Sequence, residues 1–240
     1  PTQDFERYTL NGSVDQQVGK YVRIGFTTNT NYSVNRGNQL GMYEVLSKSP
    51  IVNPYNEDGT FKKLIDMPLD TKQTVITRET VEALGDLWIN ETMNFASYNN
   101  AFAEIKIPGV EGLSYRVNLG MNYRSSKGGS FTGKGVNNSD PNYPNSASLS
   151  HTENTNWVVE NLLTYDRTFA DKHKVNVVAM YSAEESKYTR SHMSGKDIPA
   201  EYFQYYNIGQ AAGEITVNPN NQGYNMSGLI SWMGRAMYTY

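Results

Sequence analysis

The chain has 240 residues and a mass of 27.0 kDa. It is 38% hydrophobic with a mean hydropathy of −0.61, and no stretch approaches the roughly 18 consecutive apolar residues of a membrane-spanning helix. Its 21 Lys+Arg against 24 Asp+Glu leave a net charge of −3, which gives no electrostatic footprint for nucleic acid. With 18 Tyr, 8 Phe and 3 Trp the chain is too aromatic for low-complexity disorder, and without cysteine it has neither disulfides nor thiolate chemistry.

Strand periodicity is noisy over residues 5–15 and clear over 21–34. There Val22, Ile24, Phe26, Thr28, Thr30, Tyr32 and Val34 share one face, and Arg23, Gly25, Thr27, Asn29, Asn31 and Ser33 share the other. Successive strand side chains point to opposite sides, whereas a helix would scatter this apolar set around its circumference. The alternation returns weakly over 93–107 and strongly over 113–124, with Leu113, Tyr115, Val117, Leu119, Met121 and Tyr123 on one face. Further strands are expected over 157–169, 175–184 and 230–240, which makes seven. Most run ten to fifteen residues, against about 5–6 for an ordinary strand and about 9–11 for one crossing a bilayer at a tilt.

Short connections (16–19, 108–112, 170–173) alternate strictly with long ones (35–92, 125–154, 191–225) rich in Asn, Gly, Ser, Pro and Tyr. An up-and-down antiparallel sheet then has all its short turns at one end and all its long loops at the other, the asymmetry of outer-membrane barrels. Aromatic placement agrees. Tyr115, Tyr165, Phe169, Tyr238 and Tyr240 fall near the short turns, and Tyr32, Tyr123, Trp157 and Trp232 near the long loops, as two interfacial girdles should. The competing fold is a soluble sandwich, which also alternates but seldom needs strands so long. The fold class expected is all-β, an up-and-down transmembrane β-barrel segment. Single-chain bacterial barrels close with even strand numbers, so seven strands, with no signal peptide at Pro1, are read as an interior piece of one barrel domain spanning 1–240.

Several runs carry a family resemblance. Residues 157–169 (WVVENLLTYDRTF) followed by 171–177 (DKHKVNV), then Ser186-Lys187-Tyr188 and residues 229–240 (LISWMGRAMYTY), are similar to mid-barrel strands of SusC/RagA-type TonB-linked outer-membrane transporters. Residues 49–60 (SPIVNPYNEDGT) resemble that family's first long extracellular loop, and 112–116 (GLSYR) a strand following one of its turns. The resemblance implies a 22-stranded barrel in the cell outer membrane with an N-terminal plug, a TonB-engaging segment and a SusD-type surface lipoprotein as lid. It implies import of oligosaccharides or peptides as the function. The plug and the TonB-contacting segment are not among these residues. A passive porin-type barrel is the alternative within transport, and a soluble carbohydrate-binding or adhesive β-domain the alternative outside it.

Enzymatic chemistry has little support. His151, His173 and His192 lack metal-ligand spacing, and Gly133-Lys134-Gly135 lacks the strand–loop–helix setting of a phosphate cradle. Asn56-Glu57-Asp58-Gly59 reads as a turn before it reads as a calcium loop. No cofactor or metal is expected. Parity places Arg23, Glu104, Lys106, Arg116, Glu160, Asp166 and Arg235 on the polar strand face, where they would line a lumen with mixed charge. Arg167 falls on the opposite face, close enough to the short turns to snorkel to headgroups. In the last long loop, residues 197–206 (DIPAEYFQYY) have the cap, early Pro and acidic first turn of a short helix. Tyr202, Phe203, Tyr205 and Tyr206 there either contact substrate or the lid protein, or pack the loop onto the barrel rim.

Overall fold

A computed structural model describes residues 3–38, 53–62, 64–67, 71–74, 78–138 and 140–240. The elements in chain order are β1 (Gln3–Val18), β2 (Val22–Gly37), β3 (Leu64–Met67), β4 (Thr71–Thr74), α1 (Arg78–Leu84), β5 (Trp88–Lys106), β6 (Leu113–Thr132), β7 (Ser146–Phe169), β8 (His173–Lys196), β9 (Ile215–Thr216) and β10 (Gly223–Thr239). One antiparallel sheet runs β1-β2-β5-β6-β7-β8-β10, with the two-residue β9 paired to β8. β3 and β4 form a separate hairpin. The seven expected strands are all present, and long strands pair with their sequence neighbours throughout.

The ladders run without a bulge, so parity carries unbroken across the sheet. On one face Val14, Phe26, Ala101, Leu119, Val159, Ala183 and Ile230 stand in a single row across all seven strands. The two predicted aromatic girdles lie on this same face. No second sheet covers it among the described residues: Ile24, Phe26 and Leu119 are 44%, 46% and 48% exposed. A soluble sandwich buries such a face, and a bare apolar wall of this extent marks contact with lipid or protein.

Counting from the short-turn end, the first charged residue on the apolar face is Glu6 in β1, Arg36 in β2, Glu91 in β5, Lys127 in β6 and Glu185 in β8. In β7 it is Glu153, apart from Arg167 beside the turn. About 12 to 16 residues separate turn from charge, roughly 30–40 Å along the membrane normal at 3.3 Å per residue and a 40° tilt. The boundary runs diagonally across the register. A ladder line from Val22 passes through Ile105 and Tyr115 to Leu163, which stands well short of Phe169 at its own turn. That stagger is the shear of a tilted barrel wall.

Two long connections are shorter than their sequence indicates. Residues 125–132 and 146–154 are paired strand, leaving 133–145 as the connection, and β8 continues to Lys196. Above the apolar band both faces are polar or glycine-rich, so the ladder continues where the face contrast that signals a strand has ended. Residues 49–52 of the upstream loop motif lie outside the described residues, while Asn56–Gly59 forms a turn closed by backbone bonds from Asn56 and Gly59. The Thr60 hydroxyl and N–H both donate to Asp58 and hold its carboxyl below the usual carboxylate range.

Arg167 does not merely snorkel. Its guanidinium pairs with Glu111 in the neighbouring turn at 3.2 Å and lies 5.1 Å from the Phe169 ring centre. The same turns carry local strain. Gly112 has φ +84°, and a Cβ there would strike the backbone carbonyl of Asp166. Ala170 and Asp171 take left-handed φ values of 49° and 54° although neither is glycine. We therefore expect opposite results from two substitutions, read as urea midpoints of the folded protein. Gly112→Ala should destabilise by about 1–3 kcal/mol, and Ala170→Gly should stabilise by up to about 1 kcal/mol.

Candidate functional site: the polar face and the loop at its mouth

All seven charged residues expected on the polar face do share it. Arg23, Glu104 and Arg116 are directly opposite one another on β2, β5 and β6, an alternation of sign that cross-strand neighbours favour. Arg23 forks onto Asp15 of β1 through Nε (2.8 Å) and Nη2 (2.6 Å). Arg116 donates to Asn118 at 2.8 Å and reaches Glu104 at 3.5 Å, and Asn118 in turn donates to Glu160 on β7 at 3.0 Å. The Phe102 ring lies beneath both guanidinium groups, 4.1 Å from that of Arg116 and 5.6 Å from that of Arg23. Gly25, opposite Phe102, is buried under that ring and has no room for a side chain. Nearer the short turns, Asp166 accepts from Asn176 at 2.8 Å, while Lys106 stands opposite Ser114 and Arg235 opposite Val178. The pairs are exposed to solvent, so they add little stability; their effect is to fix side-chain positions along the wall.

The register also assembles a feature that no local motif signals. Three rungs toward the loops from Arg23, one row contains Asn11, Asn29, Tyr98, Asn122, Asn156, Ser186 and Ser227, one residue from each long strand. It is uncharged and hydrogen-bonding throughout, with Asn156 donating to Ser186 at 2.7 Å. Scattered asparagines in separate strands become a continuous line only when the pairings are known. The polar face thus carries a charged network toward the turns and an amide–hydroxyl row nearer the loops, with Arg7, Arg124 and Arg190 on the same face beyond that row.

The loop after β8 folds differently from a simple helix. Glu201–Phe203 is a single 3-10 turn, and the segment packs back onto the sheet. Asn145 ties its start, donating to the Ile198 carbonyl and accepting from the Ile198 N–H. Ile198, Tyr205 and Ile208 then bury Phe131 and Ala147, with Phe203 against them. Tyr205 is 5% exposed and its ring fills the space above Gly129. Of the four aromatics singled out in this loop, Tyr205 is therefore a packing residue, Phe203 is half-buried, and Tyr202 and Tyr206 are 76% and 69% exposed. The Tyr206 hydroxyl accepts from Tyr205 and donates to Glu91; partial burial, then the Glu91 charge, push it above the usual phenol range.

A single antiparallel wall, apolar and bare on one side and predominantly polar on the other, with staggered short turns and long loops at opposite ends, is the architecture of an outer-membrane β-barrel wall. Comparison with known proteins agrees. The chain is 25% identical over 238 residues to the TonB-dependent receptor P39 of Formosa agariphila, covering 98% of this chain and 21% of that receptor. It is 22% identical over 255 residues to the TonB-dependent receptor P3 of the same organism, covering 99% and 23%. Among solved structures it superposes on the RagAB peptide importer in an open-open state with a TM-score of 0.75 at 14% identity, over 99% of this chain and 26% of that one. The RagAB peptide transporter gives 0.73, also at 14%. These structural likenesses are of fold. No family model matches the chain. The chain spans about a quarter or less of the length of the proteins it matches.

The packing of the loop yields a prediction. Removing the Tyr205 ring should open its small core, at a local cost of about 3–5 kcal/mol, and expose 197–213 to protease. Limited proteolysis of Tyr205→Ala should cut there well before the parent protein, whereas Tyr202→Ala should be cut at the parent rate.

Proposed function

We propose that this chain is part of the barrel wall of a TonB-dependent, SusC/RagA-like transporter in the cell outer membrane, and that the whole protein imports oligosaccharides or peptides. The observation that carries the reading is the opposition of faces: an uncovered apolar surface of bilayer height backed by a predominantly polar one. The likeness to two TonB-dependent receptors over nearly the whole chain supports it. On this reading strands beyond the edges of β1 and β10 complete the barrel, since an open ladder edge in hydrocarbon is untenable. A plug occupies the lumen, a SusD-like lipoprotein closes the mouth, and TonB supplies the energy. The relatives are receptors and an importer, so the wall binds and passes a solute without transforming it.

Within that frame the charged network of Arg23, Glu104, Lys106, Arg116, Glu160, Asp166 and Arg235 lines the periplasmic part of the lumen, in contact with plug and water. The row from Asn11 to Ser227 lines the outer part. Hydroxyl- or amide-bearing solutes can exchange hydrogen bonds with it without desolvating a charge, which suits either proposed substrate class. Tyr202 and Tyr206 remain the loop aromatics with free faces.

Two measurements on the full-length protein in intact cells test this. A membrane-impermeant thiol reagent should label Asn122→Cys several-fold faster than Leu119→Cys, because the first side chain meets lumenal water and the second meets acyl chains. Equal labelling of the two would defeat the barrel assignment. Uptake of the cognate oligosaccharide or peptide should stop when TonB is inactivated; uptake that persists points to a passive pore.

A further inference from the structure

The loop after β8 lies on the lipid side of the wall. Its buried residues fix this, because each rests on a strand position of known parity. Gly129, under the Tyr205 ring, stands in register with Glu91 and Leu149, and ten residues along β6 from Leu119 on the same face. Gly195, under Ile208, is opposite Ala147 on that face as well. The loop therefore leans outward over β6, β7 and β8, and Tyr206 reaches Glu91 on β5. It does not lean inward over the polar row.

Height follows from the same register. On β6 the face runs from Leu119 and Met121 through Tyr123 and Ser125 to Lys127, with Gly129 next. Gly129 is thus only about 5 Å above the first charge at a rise of roughly 2.5 Å per residue along the normal. The polar layer on each side of a bilayer core is about 5–8 Å deep, so the part of the loop over Gly129 and Glu91 sits at headgroup level. The exposed Tyr202 and Tyr206 flank Tyr205 in that part of the loop, whereas Ile215 of β9, opposite Gly195, stands ten residues beyond Glu185 on β8 and lies above this layer. Tyrosine, with an apolar ring and a polar tip, is the residue type that partitions to this layer.

We propose that Tyr202 and Tyr206 form an interfacial anchor that rests in the headgroup layer of the outer leaflet and extends the lipid contact of the wall above its apolar band. The inference builds on the outer-membrane reading. The anchor lies just beyond the apolar band, across a belt of charge on the same face that includes Glu91, Lys127, His151, Glu153, Glu185 and Lys187. The contact holds the loop, and with it the outer ends of β6 to β8, at a fixed height over the membrane.

The test uses the full-length protein reconstituted in phospholipid bilayers, with single cysteines carrying a bimane fluorophore. Lipids bearing a nitroxide on the headgroup should quench label at Tyr202→Cys and Tyr206→Cys several-fold more than label at Asn122→Cys on the polar face. Quenching at both loop positions no greater than at Asn122→Cys overturns the anchor. A Leu119→Cys reporter read with acyl-chain nitroxide separates the two levels of the argument. If it is quenched and the loop is not, the anchor alone fails; if it is not quenched either, the outer-membrane reading falls with it.

Discussion

Hydrocarbon offers a peptide group no hydrogen-bond partner, so a chain crossing it must pair every N–H and C=O within the protein. Here that condition is met by ladders that run from β1 to β10 without a bulge. Unbroken pairing has a geometric consequence beyond saturation. Side-chain parity is conserved from strand to strand, so one alternating pattern, repeated seven times, becomes two continuous surfaces. A single bulge inside the band would turn a greasy side chain into the lumen on one side and a polar one into lipid on the other.

Polar side chains on the apolar face follow the same rule at the level of individual groups. Thr28 donates to Asn99 at 2.8 Å, Asn99 donates to Ser97 at 2.9 Å, and Thr30 and Ser97 share a bond of 2.8 Å. Asn161 accepts from the Tyr115 hydroxyl at 2.7 Å, and Arg167 has Glu111. These departures from the apolar pattern thus carry partners on a neighbouring strand or turn, which lowers the cost of facing lipid. On the polar face water can serve the groups that neighbouring side chains leave unpaired. The alternation Asp15, Arg23, Glu104, Arg116 leaves no large field of one sign.

What could be read from the sequence is what depends on face contrast. The strands around Phe26, Leu119 and Val177 alternate cleanly because each needs one surface for lipid and one for water, and period-two patterning records that need. That the seven charged residues share the polar face was legible for the same reason: parity alone places them. Where both faces meet water, the record fades. Residues 125–132 (SSKGGSFT) look like loop, yet they form a ladder with 146–153, because the bonds that extend a strand lie in the backbone and leave no trace in side-chain polarity. The row from Asn11 to Ser227 was illegible for another reason, since it is a property of register between strands distant in sequence. Tyr205 was legible as an aromatic in a loop, but whether its ring faced solvent depended on Gly129, some seventy-five residues earlier in the chain.

The strap after β8 resolves a mechanical problem created by strand length. β7 and β8 continue past the band by roughly ten residues, paired there with the end of β6, and this part of the sheet has no bilayer against its outer face. Burying Phe131, Ala147, Ile198, Tyr205 and Ile208 gives those extensions a small core where the bilayer no longer supports them. Placing that core on the outer side has a further effect. It leaves the polar side of β6 to β8 uncovered by this loop. Stiffness at the strand ends and an uncovered polar row are therefore obtained from one choice of face, and that choice is made by two glycines, Gly129 and Gly195, whose missing side chains let the loop settle against the wall.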